Sequence, residues 1–275
     1  MNILEIDKIT YTYSDGTKAL NGVSLEIRQG EKLAFVGGNG SGKSTLFLCL
    51  NGILRPQSGT INYNGKPVVY KRKELLELRS KVGIVFQDPD NQLFASSVYQ
   101  EISFGPCNLD LSQEEVKRRV DNVIEELGIK PFSQKPTHAL SGGQKKQVAL
   151  ADILVMEPEV LIMDEPVSAL DPLHTKLLNE KLEELPNKGI TVIVATHDMN
   201  FALEWADRII MLKDGIIIRD GNPADIFQEV ELLKEANLSQ PDVITLFKKL
   251  IEKKILKGNL PIPRNLKELE GYLTD

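Results

Sequence analysis

One short glycine-rich segment constrains this chain more than any other part of its sequence. Residues 37–45 read G-G-N-G-S-G-K-S-T, which fits the pattern G-x-x-x-x-G-K-[ST]. The continuous apolar run at 33–36, typical of a strand buried on both faces, precedes it, and the helix-compatible stretch 44–50 overlaps its end. Strand, glycine loop and helix in this order predict a loop that binds phosphate through its backbone N–H groups.

Two side chains of this loop are predicted to reach a nucleoside triphosphate. Lys43 supplies a positive charge to the β- and γ-phosphates, and Ser44 offers a hydroxyl group to Mg²⁺. The alternative, a flexible glycine loop that ends in a surface lysine, does not explain the flanking strand and helix. The predicted nucleotide ligands of this segment are Gly37, Gly38, Asn39, Gly40, Ser41, Gly42, Lys43, Ser44 and Thr45.

A pair of carboxylates follows a second buried run. Residues 160–163 are apolar and lead directly into Asp164 and Glu165. Beside a phosphate loop, Asp164 is predicted to hold Mg²⁺ through its water shell, and Glu165 to orient or deprotonate the water that attacks the γ-phosphate. The alternative is an ordinary acidic corner between a strand and a loop, and the presence of the phosphate loop favours the catalytic interpretation.

The composition indicates a globular chain and argues against two classes of partner. The 275 residues include 41% hydrophobic and 26% charged residues, which is average globular usage, and the net charge of −6 disfavours binding nucleic acid through bulk charge. No apolar run reaches the ~20 residues that span a bilayer. Only two cysteines occur, Cys49 and Cys107, so no disulfide framework is expected. We therefore expect a cytoplasmic location.

Strands that alternate with helices predict an α/β fold with a mainly parallel sheet. The first thirty residues alternate between apolar and polar, which predicts an antiparallel ribbon, and residues 60–63 with the turn Asn64-Gly65 predict a hairpin. Residues from about 88 to 158 are predicted to form a mostly helical insert. Further buried strands are expected at 82–86, 160–163, 191–195 and 209–212.

Three more motifs complete a recognisable set. The sequence reads L-S-G-G-Q at 140–144, S-A-L-D at 168–171 and T-H-D at 196–198. Together with the phosphate loop and the D-E pair, in this order, they resemble the ATP-binding-cassette (ABC) ATPases over roughly residues 1–225. The resemblance implies a P-loop NTPase core with an N-terminal antiparallel β-subdomain, a helical subdomain at about 88–158, and a C-terminal extension at 226–275.

The resemblance also implies roles for single residues. Tyr13 takes the place of the aromatic residue that stacks on adenine, with a plain strand tyrosine as the alternative. Gln87 matches the glutamine that touches Mg²⁺ and the attacking water, and His197 matches the histidine that contacts the γ-phosphate. The implied catalytic residues are Glu165, His197 and Gln87, and the implied Mg²⁺ ligands are Ser44, Gln87 and Asp164.

The L-S-G-G-Q segment implies that the chain works as a dimer. In the family, this segment caps the ATP of a second cassette rather than that of its own chain, and Asp171 matches the loop that crosses between subunits. The chain has one copy of each motif, so two chains, identical or paralogous, are expected to enclose two ATP molecules. The residues that would cap the neighbour's ATP are Ser141, Gly142, Gly143 and Gln144. One departure from the family is Gln147, where an arginine is usual.

Residues 86–94, F-Q-D-P-D-N-Q-L-F, closely resemble the ATPases of energy-coupling factor importers, including the cobalt/nickel type. This implies a transmembrane coupling subunit, a substrate-binding membrane subunit, no nucleic acid, and a peripheral position on the cytoplasmic side of the membrane. Leu93 and Phe94 are expected to line a groove for a short partner helix, and Asp88 and Asp90 to pair with its arginines. The alternative places Leu93 and Phe94 in the core. Cobalt, nickel and vitamins all remain open as cargo.

Two assignments keep their alternatives. The tail has an apolar stripe at helical spacing, between Val243 and Ile251, with lysines among and after it. We expect the stripe to serve dimer contacts and the lysines to be solvated, although contact with anionic lipid is the alternative.

The rival functions are a non-transport cassette ATPase and a regulatory nucleotide switch. The lack of sustained heptads between Lys43 and Ser141 argues against the first, and the presence of Glu165 argues against the second.

Overall fold

The computed structural model describes residues 1–168 and 170–274 of the chain. Its strands form two sheets, which are described below. In chain order they are β1 (Asn2–Thr12), β2 (Lys18–Arg28), β3 (Lys32–Val36), β4 (Ser58–Tyr63), β5 (Lys66–Pro67), β6 (Val82–Val85), β7 (Val160–Asp164), β8 (Thr191–Ala195), β9 (Arg208–Lys213) and β10 (Ile216–Gly221).

The helices cover both faces of the larger sheet and form most of the segment between β6 and β7. In chain order they are α1 (Lys43–Leu50), α2 (Arg72–Lys81), α3 (Val98–Cys107), α4 (Gln113–Glu126), α5 (Gly142–Leu154), α6 (Pro172–Glu184), α7 (Met199–Trp205), α8 (Pro223–Ile226), α9 (Val230–Glu235), α10 (Asp242–Glu252) and α11 (Leu266–Thr274). In the described ranges, none of them has the length and the apolar character that crossing a bilayer requires.

The N-terminal sheet is antiparallel, in the order β2-β1-β4-β5. Val23, Leu25 and Ile27 of β2 are buried, and the residues between them are exposed, as the alternating sequence predicts. Asn64 and Gly65 link β4 to β5 with φ values of 48° and 71°. Two consecutive positive φ angles are typical of the tight hairpin turn that Asn-Gly favours, so the predicted ribbon and hairpin are both present.

The second sheet has six strands in the order β10-β9-β3-β8-β7-β6, and the pairs among β9, β3, β8, β7 and β6 are parallel. At the edge, β10 pairs antiparallel with β9. All five residues of β8 are buried, because helices cover both faces of a parallel sheet. The sheet is therefore the mainly parallel α/β arrangement that the sequence predicts.

The segment between β6 and β7 has its own apolar core. Helices α3, α4 and α5 pack together through buried side chains that include Val98, Ile102, Val120, Ile124 and Val148. The first turns of α5 lie near the ends of β6 and β7, because Lys145 pairs with Asp90 and Lys146 donates to the carbonyl oxygen of Glu165.

The C-terminal tail packs onto the chain's own core. Val243, Ile244 and Phe247 of α10 are buried in the same cluster as side chains of β7 and β8. This corrects part of the sequence analysis, because the apolar stripe expected to serve dimer contacts is largely covered within the chain. The tail keeps some large apolar side chains exposed, and these include Val230, Leu246, Ile255, Leu266 and Leu273. A dimer role of the tail stays a prediction.

Candidate active site

The phosphate loop joins the end of β3 to the first turn of α1, and its shape depends on glycine. Gly37, Gly40 and Gly42 have φ values of 150°, 76° and 107°, which L-residues with a side chain rarely adopt. A Cβ atom on Gly37 would lie 2.2 Å from the carbonyl oxygen of Leu212, and one on Gly42 would lie 2.5 Å from that of Ala19. The neighbouring backbone therefore excludes any side chain at these two positions.

Lys43 places its ammonium group inside the loop. Its Nζ donates hydrogen bonds to the carbonyl oxygens of Gly37 (2.6 Å) and Gly38 (3.1 Å) and to Oγ of Ser41 (3.1 Å). Burial lowers the pKa of Lys43, and the carboxylates of Asp164 and Glu165 partly oppose that shift. A cation enclosed by backbone oxygens at a helix N-terminus is suited to bind phosphate oxygens in their place.

A hydroxyl group and a carboxylate meet beside the loop. Ser44 Oγ donates a 2.5 Å hydrogen bond to Oδ2 of Asp164, because α1 begins next to the carboxyl end of β7. Both groups are hard oxygen ligands of the kind that Mg²⁺ prefers. The residues thus fit the Mg²⁺ role that was predicted for Ser44 and Asp164.

Glu165 follows β7 directly and has a strained backbone. Its φ is 49°, a left-handed conformation that costs a residue of this type on the order of 1–3 kcal/mol. Its N–H donates to the carbonyl oxygen of Ala195 at the end of β8. The carboxylate is buried, and within the described part of the chain its Oε2 accepts no hydrogen bond. A buried acceptor without a donor, at the end of the strand that carries Asp164, is suited to bind a water molecule.

His197 reaches the same carboxylate from the next strand. Its Nδ1 lies 2.7 Å from Oε2 of Glu165, at ion-pair distance but without hydrogen-bond geometry. Thr196 is buried at the end of β8, and Asp198 caps α7 by accepting the N–H of Phe201. With both neighbours fixed in this way, the imidazole points outward, with 74% of its side chain exposed.

Tyr13 lies at the rim of the site. It is 38% exposed, and its hydroxyl group lies 3.0 Å from Oγ1 of Thr45, on the first turn of α1. Its ring meets that of Tyr11 edge to face, at 5.0 Å between centroids. The structure therefore brings Tyr13 to the phosphate loop. Its stacking on adenine stays a prediction.

Gln87 lies near the first turns of α5. The strand predicted at 82–86 ends at Val85, so Gln87 lies in the following loop. It is exposed and lines a cavity of about 350 Å³ together with Gly142, Lys146 and Ser168. In residues 1–168 and 170–274, no hydrogen bond joins Gln87 to Ser44 or Asp164. Its contact with Mg²⁺ stays a prediction.

The L-S-G-G-Q segment begins α5. Ser141 Oγ accepts the N–H of Gln144, whose Oε1 accepts the N–H of Ser141, so the two residues form a capping box. A Cβ atom on Gly143 would lie 2.8 Å from the imidazole of His174. Across the described residues, no hydrogen bond connects the segment, Gly142 included, to the phosphate loop of the same chain.

Asp171 lies near that segment as the cap of α6. Its Oδ1 accepts the N–H groups of Leu173 and His174, and its Oδ2 lies 2.6 Å from Nδ1 of His174. Ala169, in the predicted S-A-L-D motif, lies outside the described residues. The structure therefore brings the phosphate loop, Asp164, Glu165 and His197 together, and among the described residues no hydrogen bond joins the residues from 141 to 144 to that group.

Two features of the site were not identified from the sequence. Lys146 of α5 reaches the loop after Glu165, and Asp152 is a half-buried acid, with a buried Oδ1 atom, close to Glu101. Both depend on contacts between segments that are distant in sequence, and a lysine or an aspartate on a helix gives no local signal of them. At the position that departs from the family, Gln147 Nε2 donates to the carbonyl oxygen of Leu127 (3.3 Å).

Comparison with known proteins agrees with this geometry. A profile of the family described as ABC transporter matches residues 20–168. The chain belongs to the ABC transporter family. The match runs from β2 through the phosphate loop, the L-S-G-G-Q segment and the D-E pair, and the chain is an ATPase of the ABC type.

Several relatives are similar over most of their length. The energy-coupling factor transporter ATP-binding protein EcfA2 of Clostridium perfringens is 49% identical over 91% of this chain and 88% of its own. The structure of CbiO1 from Clostridium perfringens, part of the ABC transporter complex CbiONQ, has a TM-score of 0.75 at 48% identity and covers 90% of this chain and 99% of its own. The dimeric, post-hydrolysis structure of the cassette MJ0796 with ADP and Pi has a TM-score of 0.73 at 29% identity, over 80% of this chain and 98% of its own.

Proposed function

We propose that this chain is the ATP-hydrolysing subunit of an energy-coupling factor importer. The observation that supports this proposal best is the separation of the site into two parts. Phosphate-binding and hydrolytic groups converge at the carboxyl ends of β3, β7 and β8. The capping segment from 141 to 144 begins α5, and within the described residues no hydrogen bond joins it to those groups. The names of EcfA2 and CbiO1 support the transporter assignment.

The residues around the phosphate loop divide the chemistry of hydrolysis. Lys43 and the loop N–H groups bind the phosphates, and Ser44 and Asp164 hold Mg²⁺, which when bound neutralises phosphate charge. Glu165 accepts a proton from the attacking water through the Oε2 atom that has no donor among the described residues. His197, 2.7 Å from that atom, keeps the carboxylate oriented and faces the γ-phosphate.

A second cassette, identical or paralogous, completes the site. Ser141 and the N–H groups of Gly142 and Gly143, which have no hydrogen-bond acceptor among the described residues, form an anion-binding helix start that meets the γ-phosphate held by the neighbouring chain. Asp171 lies in the loop at the contact between the two chains. The dimeric assembly of MJ0796, whose structure is similar, supports this arrangement.

A groove beside the loop that follows β6 suits a membrane partner. We name it the docking groove. Phe94 (67% exposed), Phe104 (53%) and Ile53 (44%) line a cavity of about 240 Å³, and the two phenyl rings meet edge to face at 4.9 Å. Leu93, in contrast, packs against the core clusters, so of the two residues predicted to line the groove only Phe94 is exposed there.

The acidic side chain that faces the docking groove is not one of those predicted. Asp88 accepts the N–H of Asp90, and Asp90 forms an ion pair with Lys145, so both contact their own chain. Asp152 also lines the groove, and its Oδ1 has no hydrogen-bond partner among the described residues. Glu101 accepts the N–H groups of the two residues at 94 and 95 and so fixes the loop. A short partner helix with a basic residue therefore suits this groove.

These partners define where the chain acts and what it supplies. The chain lies peripherally on the cytoplasmic side of the membrane, bound to a coupling subunit, with a separate membrane subunit that recognises the cargo. Closure of the ATPase dimer on ATP and its reopening after hydrolysis drive uptake of a small cargo, a cobalt or nickel ion or a vitamin. The coupling subunit senses these states through contacts that differ between them.

Co-purification with the membrane subunits tests the proposal. We expect at least tenfold less of the double variant Phe94→Ser, Phe104→Ser to co-purify with the coupling subunit. Transport should be abolished, while the purified chain keeps its ATPase activity. Val230→Ser removes an exposed apolar side chain of α9, outside the groove, and should change neither. Transport at the wild-type rate by the double variant would refute the docking groove.

A further inference from the structure

Lys146 makes an unusually dense set of contacts for a lysine on a helix. It lies on the second turn of α5, and its Nζ lies within hydrogen-bond distance of the carbonyl oxygens of Glu165 (3.2 Å), Pro166 (3.1 Å) and Ser168 (2.5 Å). Its fourth contact is Oγ of Ser168 (3.1 Å). An ammonium group has three protons to donate, so these oxygens use its whole capacity.

The oxygens belong to one turn, and that turn carries the strained residue. Glu165 has a φ of 49°, and its carbonyl oxygen also accepts bonds from Oγ (2.9 Å) and N–H (3.2 Å) of Ser168. The carbonyl groups at 165, 166 and 168 all face the same cation. Without it, three carbonyl dipoles would converge on each other, and the turn would relax toward a less strained backbone.

The neighbouring lysine of α5 makes a parallel contact. Lys145 Nζ lies 2.5 Å from Oδ1 of Asp90, in the loop that follows Gln87. Two consecutive lysines of α5 therefore contact two loops, one after β6 and one after β7. The contact of Lys146 reaches the main-chain carbonyl group of Glu165, the residue that carries the hydrolytic carboxylate.

We propose that Lys146 is a positioning residue for Glu165. It binds the carbonyl groups of the 165–168 turn and thereby holds the left-handed backbone that directs the Glu165 carboxylate toward the attacking water. The inference rests on the proposed role of Glu165 in hydrolysis. It adds that the helix bearing the capping segment also sets the geometry of the carboxylate in its own chain.

A purely structural tie between α5 and the sheet predicts a different outcome. If Lys146 only tied α5 to the sheet, its removal would lower thermal stability and impair ATP binding and hydrolysis alike. A positioning role acts on the chemical step, so it lowers kcat and leaves the KM for ATP near its wild-type value. The effect of removing Lys146 also disappears when the Glu165 carboxylate is already absent, so substitutions at the two residues are not additive.

The test compares Lys146→Met with Lys117→Met, which removes an exposed lysine of α4. For Lys146→Met we expect kcat to fall by roughly 10- to 100-fold, KM to change by less than threefold, and amides at 165–170 to exchange hydrogen at least tenfold faster. Lys146→Arg, which keeps a charged donor, should recover most of the lost kcat. In the Glu165→Gln background, Lys146→Met should lower the residual rate by less than twofold.

Two results for Lys146→Met would overturn the inference. Unchanged amide exchange at 165–170 in Lys146→Met would show that the lysine does not hold the turn, whatever the ATPase rate. Faster exchange with a wild-type kcat would show that the held turn does not matter for hydrolysis. Failure of the wild-type chain to hydrolyse ATP would instead count against the proposed function, and the exchange experiment, done without nucleotide, tells the two failures apart.

Discussion

His197 Nδ1 lies 2.7 Å from Oε2 of Glu165, and that oxygen accepts no hydrogen bond from any described residue. The imidazole comes from the end of β8 and the carboxylate from the end of β7, two parallel neighbours in the sheet. Parallel pairing thus places the two groups at one edge, beside the phosphate loop that ends β3. This pair forms the hydrolytic centre of our account.

Removal of the imidazole should impair hydrolysis more than binding. We expect His197→Ala to lower kcat by roughly 10²-fold, within the range for a group that assists proton transfer, and to change KM by less than threefold. Phosphate release by the purified protein with Mg²⁺ and ATP measures both. His138→Ala, at an exposed position in the helical segment, is the matched control. A wild-type kcat in His197→Ala would show that Glu165 acts without it.

The lysine of the phosphate loop should be essential for ATP binding but not for folding. Lys43→Met removes the cation whose pKa burial lowers, together with its bonds to loop oxygens. Wild-type protein at ATP 100-fold above its Kd should gain about 2.7 kcal/mol of stability. We expect Lys43→Met to show none of this gain in a thermal unfolding experiment, whereas Lys117→Met shows all of it. A full ATP-induced shift in Lys43→Met would contradict the assignment.

Tyr13 provides a test of adenine stacking. Loss of an aromatic stack on a base costs about 1–3 kcal/mol, so Tyr13→Ala should weaken ATP binding roughly 5- to 150-fold. Tyr13→Phe loses only the 3.0 Å contact with Thr45 and should stay within threefold of wild type. Calorimetric titration with ATP distinguishes them. Equal affinities for Tyr13→Ala and wild type would favour the alternative of a plain strand tyrosine.

Asp152 should make stability depend on pH. Burial, with the nearby Glu101 carboxylate, raises the pKa of Asp152 well above its ordinary value of 3.8. Above pH 3.8 and up to the raised native pKa, the native state binds more protons than the unfolded state, so wild-type stability falls as pH rises through this window.

Asp152→Asn removes this dependence. Its Tm should match that of wild type near pH 4 and exceed it by several degrees at pH 8. Thermal unfolding of both proteins across this range measures the difference. If the Tm of Asp152→Asn exceeded that of wild type by the same amount at both pH values, or fell below it at pH 8, the charge of Asp152 would not destabilise the fold.

The sequence predicts the central sheet well because burial on both faces leaves a strong local signal. The apolar runs at 33–36, 160–163 and 191–195 are strands, and the glycine pattern between β3 and α1 is the phosphate loop. The helix α2 was not predicted, because only two of its ten residues, Leu78 and Ser80, are buried and its apolar periodicity is weak.

The missed features depend on which segments meet in three dimensions. Lys146 contacts a turn some twenty residues further along the chain, and no local pattern distinguishes it from the solvated lysines of the tail. The stripe of α10 was recognised as apolar, but the sequence does not say whether its own sheet or a second chain covers it. Asp152 looks like an ordinary helix acid until the fold buries one of its carboxylate oxygens.

The central claim is that two chains share each ATP, with the phosphate loop of one facing Ser141 of the other. Light scattering on Glu165→Gln, which should bind ATP without hydrolysing it, tests this claim most directly. We predict the mass of one chain without ATP, that of two chains at saturating ATP with Mg²⁺, and one chain again when Ser141→Arg is added. A single-chain mass for Glu165→Gln with ATP fully bound would contradict the account.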